Sequence, residues 1–419
     1  MSSDIGAFSP PNPRNPILQT VGNQIVSNLN NVEILLTTNG ALRGMCGWDE
    51  FHDRAVLWHP VPSPDGGLAE YPSWYVEPKK VTDKDISALQ VYLQHLGLTF
   101  ISKHAVLDAL RLVGASRPWH PVKAYLDGLV WDGVERIGRI EGPCPSWLVL
   151  AAGSEDGPYV RTVGRISLIA MVARIYTPGC KYDYIPIFEG LQGAKKSTMI
   201  RVLSHPWFSD SLPCNIESKD ASIHLQGLWA VEIGELSAFK RAALEELKRF
   251  ITRQSEKYRP PYGTQEVEQP RSCVFFGTTN EKTYLSDTTG NRRFLPVTIS
   301  KVDEAMLAEL RDQLFAEAVS AFRAGEHWWV DAEWEEKYAA EQQASRMDDD
   351  PWADKIMAYV KNRKKLTYSV IAEMALGLDT KGLNNYSRDR IKGVMVQAGW
   401  ETAKIGGVCW WVKKEEKKG

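Results

Sequence analysis

Apolar residues at Ile86, Leu89, Leu93 and Leu96 recur on one face of a 3.6-residue period, and Val106, Leu107, Leu110 and Leu112 recur similarly after Ser102. With Asp83 and Ser102 placed to cap them, the two stretches predict amphipathic helices. A third helical pattern, over residues 159–176, stops at Pro178-Gly179. Upstream, residues 31–80 carry short apolar pieces (32–36, 55–58 and 74–76) between Gly and Pro turns, which predicts a small strand-rich lead-in. Residues 1–30 are rich in Pro, Asn and Ser, show no sustained period, and predict a poorly ordered arm.

From residue 184 onward the period changes. Residues 184–188 read as a short buried strand that runs into a glycine-rich turn; a helix follows from Ser197, a strand over 229–233, a helix over about 240–253 and a strand over 272–278. Such alternation predicts an α/β fold with a parallel sheet. Residues 303–344 are almost continuously compatible with helix, and Asp348-Asp349-Asp350-Pro351 breaks them as a linker. Beyond it, three helical patterns (352–360, 368–376 and 387–398) precede two short strands around Gly406-Gly407, the order of a winged helix. The expected organisation is an arm and lead-in over 1–80, a helical N-terminal domain over 81–176, a nucleotide-binding core over 177–300, a helical extension over 301–347 and a winged-helix-like domain over 348–419.

Composition narrows the function classes. Lys and Arg total 50 against 52 Asp and Glu in 419 residues, a net charge of −2, which excludes a histone-like or acidic-tail protein and leaves nucleic-acid contact to local patches. No uncharged apolar run reaches the roughly 18 residues needed to span a bilayer, and nothing marks the chain for secretion, so the cytoplasm of a bacterial host cell is the expected location. The six cysteines (Cys46, Cys144, Cys180, Cys214, Cys273 and Cys409) are far apart without a C-x-x-C, so reduced, packed thiols are expected rather than a disulfide scaffold or zinc ribbon.

The segment Gly190-Leu191-Gln192-Gly193-Ala194-Lys195-Lys196-Ser197-Thr198 follows a predicted strand and opens a predicted helix, the context a phosphate-binding loop requires. Backbone N–H groups and the helix N-terminus of such a loop cradle a polyphosphate. Lys196 then reaches the β- and γ-phosphates of ATP, and the Ser197 hydroxyl faces Mg²⁺. Lys195 stands where the pattern has glycine, so a Cβ and a second charge are expected to strain the loop. About thirty residues on, an apolar strand ends in Glu232 and Glu235. Carboxylates there suit the metal and the attacking water; spacing does not apportion the roles, and Glu235, nearer the loop, is the favoured metal partner beside Ser197. A third strand ends at Asn280, placed to hydrogen-bond a γ-phosphate or the lytic water. Arg292 and Arg293 follow a Gly-Asn turn and suit an arginine finger supplied by a neighbouring subunit.

Between the acidic strand and Asn280, Lys248, Arg249, Arg253, Lys257, Arg259 and Arg271 interleave with Tyr258 and Tyr262, and Pro260-Pro261 with Gly263 predicts a protruding hairpin. Cations for phosphates and aromatic faces for bases are what single-stranded DNA requires. The C-terminal helical pattern adds Arg388, Arg390 and Lys392 as a second candidate contact.

Taken in order, these motifs resemble the virulence-associated E family, a phage and prophage group similar to superfamily 3 helicases within the AAA+ ATPases. The likeness runs through His120 to Ile137, Pro178 to Tyr184, the phosphate-binding loop, Trp229 to Leu236, Thr252 to Gly263, Phe276 to Asn280 and Thr289 to Phe294. The resemblance implies an AAA+ core with Lys196 and Ser197 as the loop pair, Glu232 and Glu235 as the acidic motif, Asn280 as the polar sensor and Arg292 or Arg293 as the finger. It further implies a helicase or translocase acting in phage or prophage DNA replication as a homo-oligomeric ring, a hexamer, on single-stranded DNA. About 80 residues precede the core, too few for the primase–polymerase domain of many relatives, so a separate primase or polymerase is expected. A nucleotide-gated DNA-binding or loading module with little unwinding is the alternative that Lys195 keeps open.

Overall fold

The computed structural model describes residues 17–65, 78–213, 215–235, 241–260, 265–285, 290–347, 352–379 and 383–413. The chain divides into two compact units, Met1–Val130 with Ile223–Leu228, and Trp131–Ser222 with Trp229–Gly419.

In the first unit the order is β1 (Thr20–Val21), β2 (Gln24–Ile25), α1 (Leu29–Thr38), β3 (Cys46–Asp49), β4 (Arg54–Leu57), β5 (Lys79–Lys80), α2 (Asp83–His95), α3 (Lys103–Ala115), β6 (Pro118–Trp119) and α4 (Pro121–Asp127). A four-stranded sheet in the order β5-β4-β3-β6 shares an apolar core with α1, α2 and α3. The lead-in is thus mixed rather than strand-rich. Residues 32–36 are helical because Asn28 accepts a hydrogen bond from the Asn31 amide as N-cap, and Val32, Leu35 and Leu36 bury one face. Thr82 caps α2 in a reciprocal box with Asp85, and Asp83 lies inside the first turn, where the helix dipole favours an acid. Ser102 caps α3 as expected. Within the expected arm, β1 and β2 pair antiparallel; residues 1–16 and 74–76 lie outside the described residues.

The second unit opens with α5 (Trp147–Ala152) and α6 (Pro158–Tyr176) and continues through β7 (Ile185–Glu189), α7 (Lys196–Ser204), β8 (Phe208–Ser209), α8 (Lys219–His224), β9 (Ala230–Ile233), α9 (Arg241–Ile251), β10 (Ser255–Tyr258), β11 (Val267–Pro270), β12 (Val274–Thr279), β13 (Phe294–Thr298) and α10 (Glu304–Arg323). Five strands form a sheet in the order β13-β7-β12-β9-β8, and every pairing in it is parallel. β7, β9 and β12 are buried along their whole length, which is why they read as uninterrupted apolar runs. Helix α6 is apolar nearly all round because it is buried nearly all round. It packs on α10 and β12, and the Trp229 indole before β9 donates to the Met171 carbonyl at 2.9 Å. Trp131 is half-buried, and its indole donates to the Val134 carbonyl at 3.0 Å, while Ile137 fills the interior.

The helical stretch after residue 303 breaks at Gly325 (φ +80°) and resumes in α11 (Ala332–Trp334), a π turn (Glu335–Ala339) and α12 (Ala340–Ala344). The expected linker, 348–351, lies outside the described residues. The C-terminal segment has α13 (Ala353–Val360), β14 (Lys365–Leu366), α14 (Tyr368–Leu376), α15 (Asn385–Gln397), β15 (Trp400–Ile405) and β16 (Val408–Lys413), with an antiparallel sheet in the order β14-β16-β15 and its own apolar core. Cys46, Cys144, Cys180, Cys273 and Cys409 are free thiols, and Cys214 lies outside the described residues. Among the described residues no helix is long and apolar enough to cross a membrane.

Candidate nucleotide-binding site

In an open parallel sheet, ligands are held beyond the C-terminal ends of the strands, where the loops to the helices diverge. Here β7, β9 and β12 lie side by side, and a cavity of about 470 Å³ opens at their C-terminal ends. It is lined from the β7–α7 loop by Gln192, Gly193 and Lys195 to Thr198, from the end of β9 by Glu232, Gly234 and Glu235, and from the end of β12 by Thr278, Thr279 and Asn280.

The loop is shaped by two glycines and by ties to its surroundings. A Cβ on Gly190 would lie 2.3 Å from the Ile299 carbonyl oxygen, so only glycine permits the strand ends to approach this closely. Gly193 turns the chain at φ +85°. The Val302 amide donates to Ala194 O (3.1 Å), and the Ile299 amide donates to Glu189 O (2.7 Å), which fixes the loop against β13 and the chain leading to α10. Lys195 sits at φ +63°, the left-handed conformation expected of the glycine it replaces, at a cost of about 1–2 kcal/mol for a residue with a Cβ. Its ammonium pairs with Glu304 at 3.0 Å, both side chains being half-exposed.

At the head of α7 the Lys196 ammonium donates to the carbonyls of Gly190 (2.8 Å) and Leu191 (3.0 Å) and to Asn280 Oδ1 (2.9 Å). All three of its N–H bonds are thereby used, as a buried ammonium requires. Burial lowers its pKa from the ordinary value and Glu232 opposes that shift. The first-turn N–H groups of α7 have no intrahelical acceptor and present a positive helix end to the cavity. Ser197 Oγ donates to Glu232 Oε1 at 2.6 Å, and so does Thr278 Oγ1 at 2.6 Å. Glu232 is 4% exposed, and its Oε2 is buried without a hydrogen-bond partner. A carboxylate with one oxygen to spare, beside a serine hydroxyl, is a donor set suited to a hard divalent cation.

The structure therefore brings Ser197 to Glu232, where the sequence favoured Glu235. Glu235 lines the same cavity at the exposed end of the strand, at φ +51°, a strained conformation that clusters at functional sites. Thr278 and the neighbours of Glu189 went unnoticed in the sequence. Glu189, the last residue of β7, is buried, receives Arg346 Nε (2.9 and 3.2 Å) and Nη2 (2.9 Å), and accepts from the Tyr284 hydroxyl at 2.6 Å. Burial, reinforced by the charge of Glu189, raises the Tyr284 phenol pKa far above its ordinary value and keeps it a donor. An acid closing an otherwise apolar strand was the available signal for Glu189; Arg346, 157 residues away, offered none.

Arg292 and Arg293 lie at the opposite, N-terminal end of the strands, beside β7. They precede Phe294, which pairs with Ile185 at the start of β7, roughly 13 Å along the strand from Glu189. There they line a separate cavity of about 460 Å³ with Tyr184, Trp328, Trp329 and Glu335. Neither arginine lines the Lys196 cavity of its own chain.

The basic stretch before β12 is divided by burial. β10 and β11 pair as an antiparallel hairpin, as expected, and its tip, with Tyr262, lies outside the described residues. Three of the expected DNA contacts face inward. Lys248 is 4% exposed and donates to Glu245 at 2.7 Å; Tyr258 is 5% exposed and its hydroxyl donates to Gln269 Oε1 at 2.7 Å; Arg271 is buried in a pair with Glu256. Tyr258 and Arg271 tie the two strands of the hairpin together, whereas Lys248 pairs within α9. Arg249, Lys257 and Arg259 are exposed, with Arg249 near Glu217 (3.6 Å) and Lys257 near Glu268 (3.2 Å), and Arg253 rests over the Phe250 ring.

A glycine-turned loop between a buried parallel strand and a helix, with its lysine held to the next strand ends, defines a P-loop nucleotide-binding domain. The virulence-associated protein E-like domain model matches residues 126–348, just over half of the chain, and the chain belongs to that family. No curated protein matches it. Among solved structures it is similar to the C-terminal region of NrS-1 in an apo A form, at 13% identity over 93% of this chain and 100% of that one with a TM-score of 0.42. Two further apo structures of that region match at 15% identity, covering 88% and 96% of the two chains (TM-score 0.40) and 91% and 98% (TM-score 0.38).

Proposed function

We propose that the chain is an ATP-hydrolysing motor of the AAA+ and superfamily 3 type that acts on single-stranded DNA in phage or prophage replication, with its C-terminal segment as a winged helix. The observation that carries this reading is the convergence of Lys196, Ser197, Glu232, Glu235 and Asn280 on one cavity at the strand ends. ATP occupies the loop, and Lys196 and the first-turn amides of α7 hold its phosphates. Ser197 and Glu232 hold Mg²⁺, which when bound neutralises charge on the β- and γ-phosphates. Glu235 accepts a proton from the attacking water, and Asn280 orients that water. The water oxygen bonds to the γ-phosphorus, the bond to the bridging oxygen breaks, and ADP and phosphate leave. Arg292 or Arg293, which are remote from their own chain's site, act on that of a neighbouring subunit in a homo-oligomeric ring, a hexamer by analogy with the family. Arg249, Lys257 and Arg259 face the DNA, and a separate primase or polymerase supplies priming in the bacterial cytoplasm.

A second reading, a nucleotide-gated DNA-loading module, is favoured by the left-handed Lys195 and by the burial of Lys248 and Tyr258. Turnover of ATP with and without single-stranded DNA separates the two. Stimulation of tenfold or more supports the motor; turnover indifferent to DNA at saturating strand supports the loader.

A further inference from the structure

The turn between α13 and β14 reads Lys361-Asn362-Arg363-Lys364-Lys365, four cations in five residues, and all five positions are exposed. Among the described residues none of the four cations has a carboxylate within ion-pair distance. Their arrangement is fixed by the sheet. Lys365 pairs with Val412, one residue before Lys413 at the end of β16, so a further cation ends the neighbouring strand. On the row of Lys365 an acid, Glu401, stands a strand further on, opposite Val412. Aromatic rings floor the patch: the Lys365 ammonium lies 4.9 Å from the Trp410 ring centre and the Arg363 guanidinium 4.1 Å from that of Tyr359. Crowded, uncompensated cations cost free energy unless an extended anion meets them, and rings at their base add faces on which bases stack.

By contrast, the helix singled out in the sequence is less free. Arg390 of α15 is laid over the Trp352 ring at 4.1 Å, leaving Arg388 and Lys392 as its exposed cations.

We propose that the turn over residues 361–365 and the adjoining β16 face form a nucleic-acid-binding surface that takes the phosphate backbone, with Trp410 as a stacking platform. The surface is independent of the ATP site and does not rest on the hydrolysis reading. Its test is equilibrium binding of the full chain, without nucleotide, to a fluorescent oligothymidylate and to a duplex of equal length, as a function of salt. Four phosphate contacts contribute about 2.8 to the salt slope on a single strand, so between 50 and 200 mM salt the parent should lose about 50-fold more affinity than the variant Lys361→Ala/Arg363→Ala/Lys364→Ala/Lys365→Ala. A charge-keeping variant, Lys361→Arg/Lys364→Arg/Lys365→Arg, should bind as the parent does, and circular dichroism of all variants should match. Loss on the oligothymidylate, deepened by Trp410→Ala, supports the proposal; loss on the duplex alone contradicts Trp410 as a stacking platform. An unchanged affinity and slope on both, or the same loss from Arg388→Ala/Lys392→Ala with none from the quadruple variant, overturns the proposal.

Discussion

The pair between Glu189 and Arg346 joins the end of the P-loop strand to the segment after α12, and removing the arginine should be costly. Glu189 is 6% and Arg346 14% exposed at the side chain, and Arg346→Met removes the contacts at 2.9, 3.2 and 2.9 Å. The carboxylate keeps Tyr284 (2.6 Å) and a long contact to Thr298 (3.4 Å), neither of them a cation. Breaking a buried pair from one side costs about 3–5 kcal/mol, because a charge is left uncompensated. Arg346 retains some access to water, which places the expected loss near the lower end, about 3 kcal/mol. The double variant Glu189→Gln/Arg346→Met removes the stranded charge and should recover about 2 kcal/mol of it. Urea unfolding followed by tryptophan fluorescence measures this as a midpoint shift of about 1 M for a slope of about 3 kcal/mol per molar. A loss below about 1 kcal/mol for Arg346→Met, or a double variant no more stable than the single, would refute the view that the pair holds the strand end.

At position 195 glycine should exceed alanine in stability by about 1 kcal/mol, since both remove the Glu304 pair equally and only alanine keeps the left-handed strain; equal melting temperatures would contradict the strain seen at φ +63°. His120 in the first unit accepts the Lys123 amide at Nδ1 (3.3 Å) as N-cap of α4, and burial, helped by Lys123 and opposed by Asp49, lowers its pKa from 6.5 to about 4. The folded state therefore binds the proton less readily than the unfolded chain. Its contribution, about 2–3 kcal/mol, is fully present above pH 6.5 and is lost as pH falls toward 4. His120→Asn, which keeps a capping oxygen, should flatten that part of the stability profile, and an unchanged profile would clear His120 of the effect. Glu232→Gln should raise the Mg²⁺ concentration needed for half-maximal turnover, whereas Glu235→Gln should lower maximal turnover about 100-fold at an unchanged Mg²⁺ requirement. The reverse pattern would exchange the two roles.

What the sequence made legible follows from burial. β7, β9 and β12 stood out because strands covered on both faces have no polar positions to interrupt them, and the loop after β7 stood out because glycine is required where Ile299 approaches. The helix at 32–36 was hidden, since five residues of a buried run carry no period, and the Asn28 cap lies outside the run. Pairings over long sequence separations were also invisible. Neither the spacing of Glu232 and Glu235 nor their types reveals that the Ser197 hydroxyl turns to the first, because that depends on which β9 side chain points toward α7. In the basic stretch the alternation along β10 sends Lys257 outward and Tyr258 inward, so a composition that suggests one continuous surface is split between surface and core.

The central claim is that a nucleoside triphosphate sits at Lys196. Calorimetric titration of the full chain with a non-hydrolysable ATP analogue and Mg²⁺ tests it most directly. One nucleotide should bind per chain, with affinity reduced at least tenfold by Lys196→Ala while Lys248→Ala, remote from the cavity, binds as the parent does. Equal binding by the parent and Lys196→Ala, or no binding by either folded protein, would contradict it.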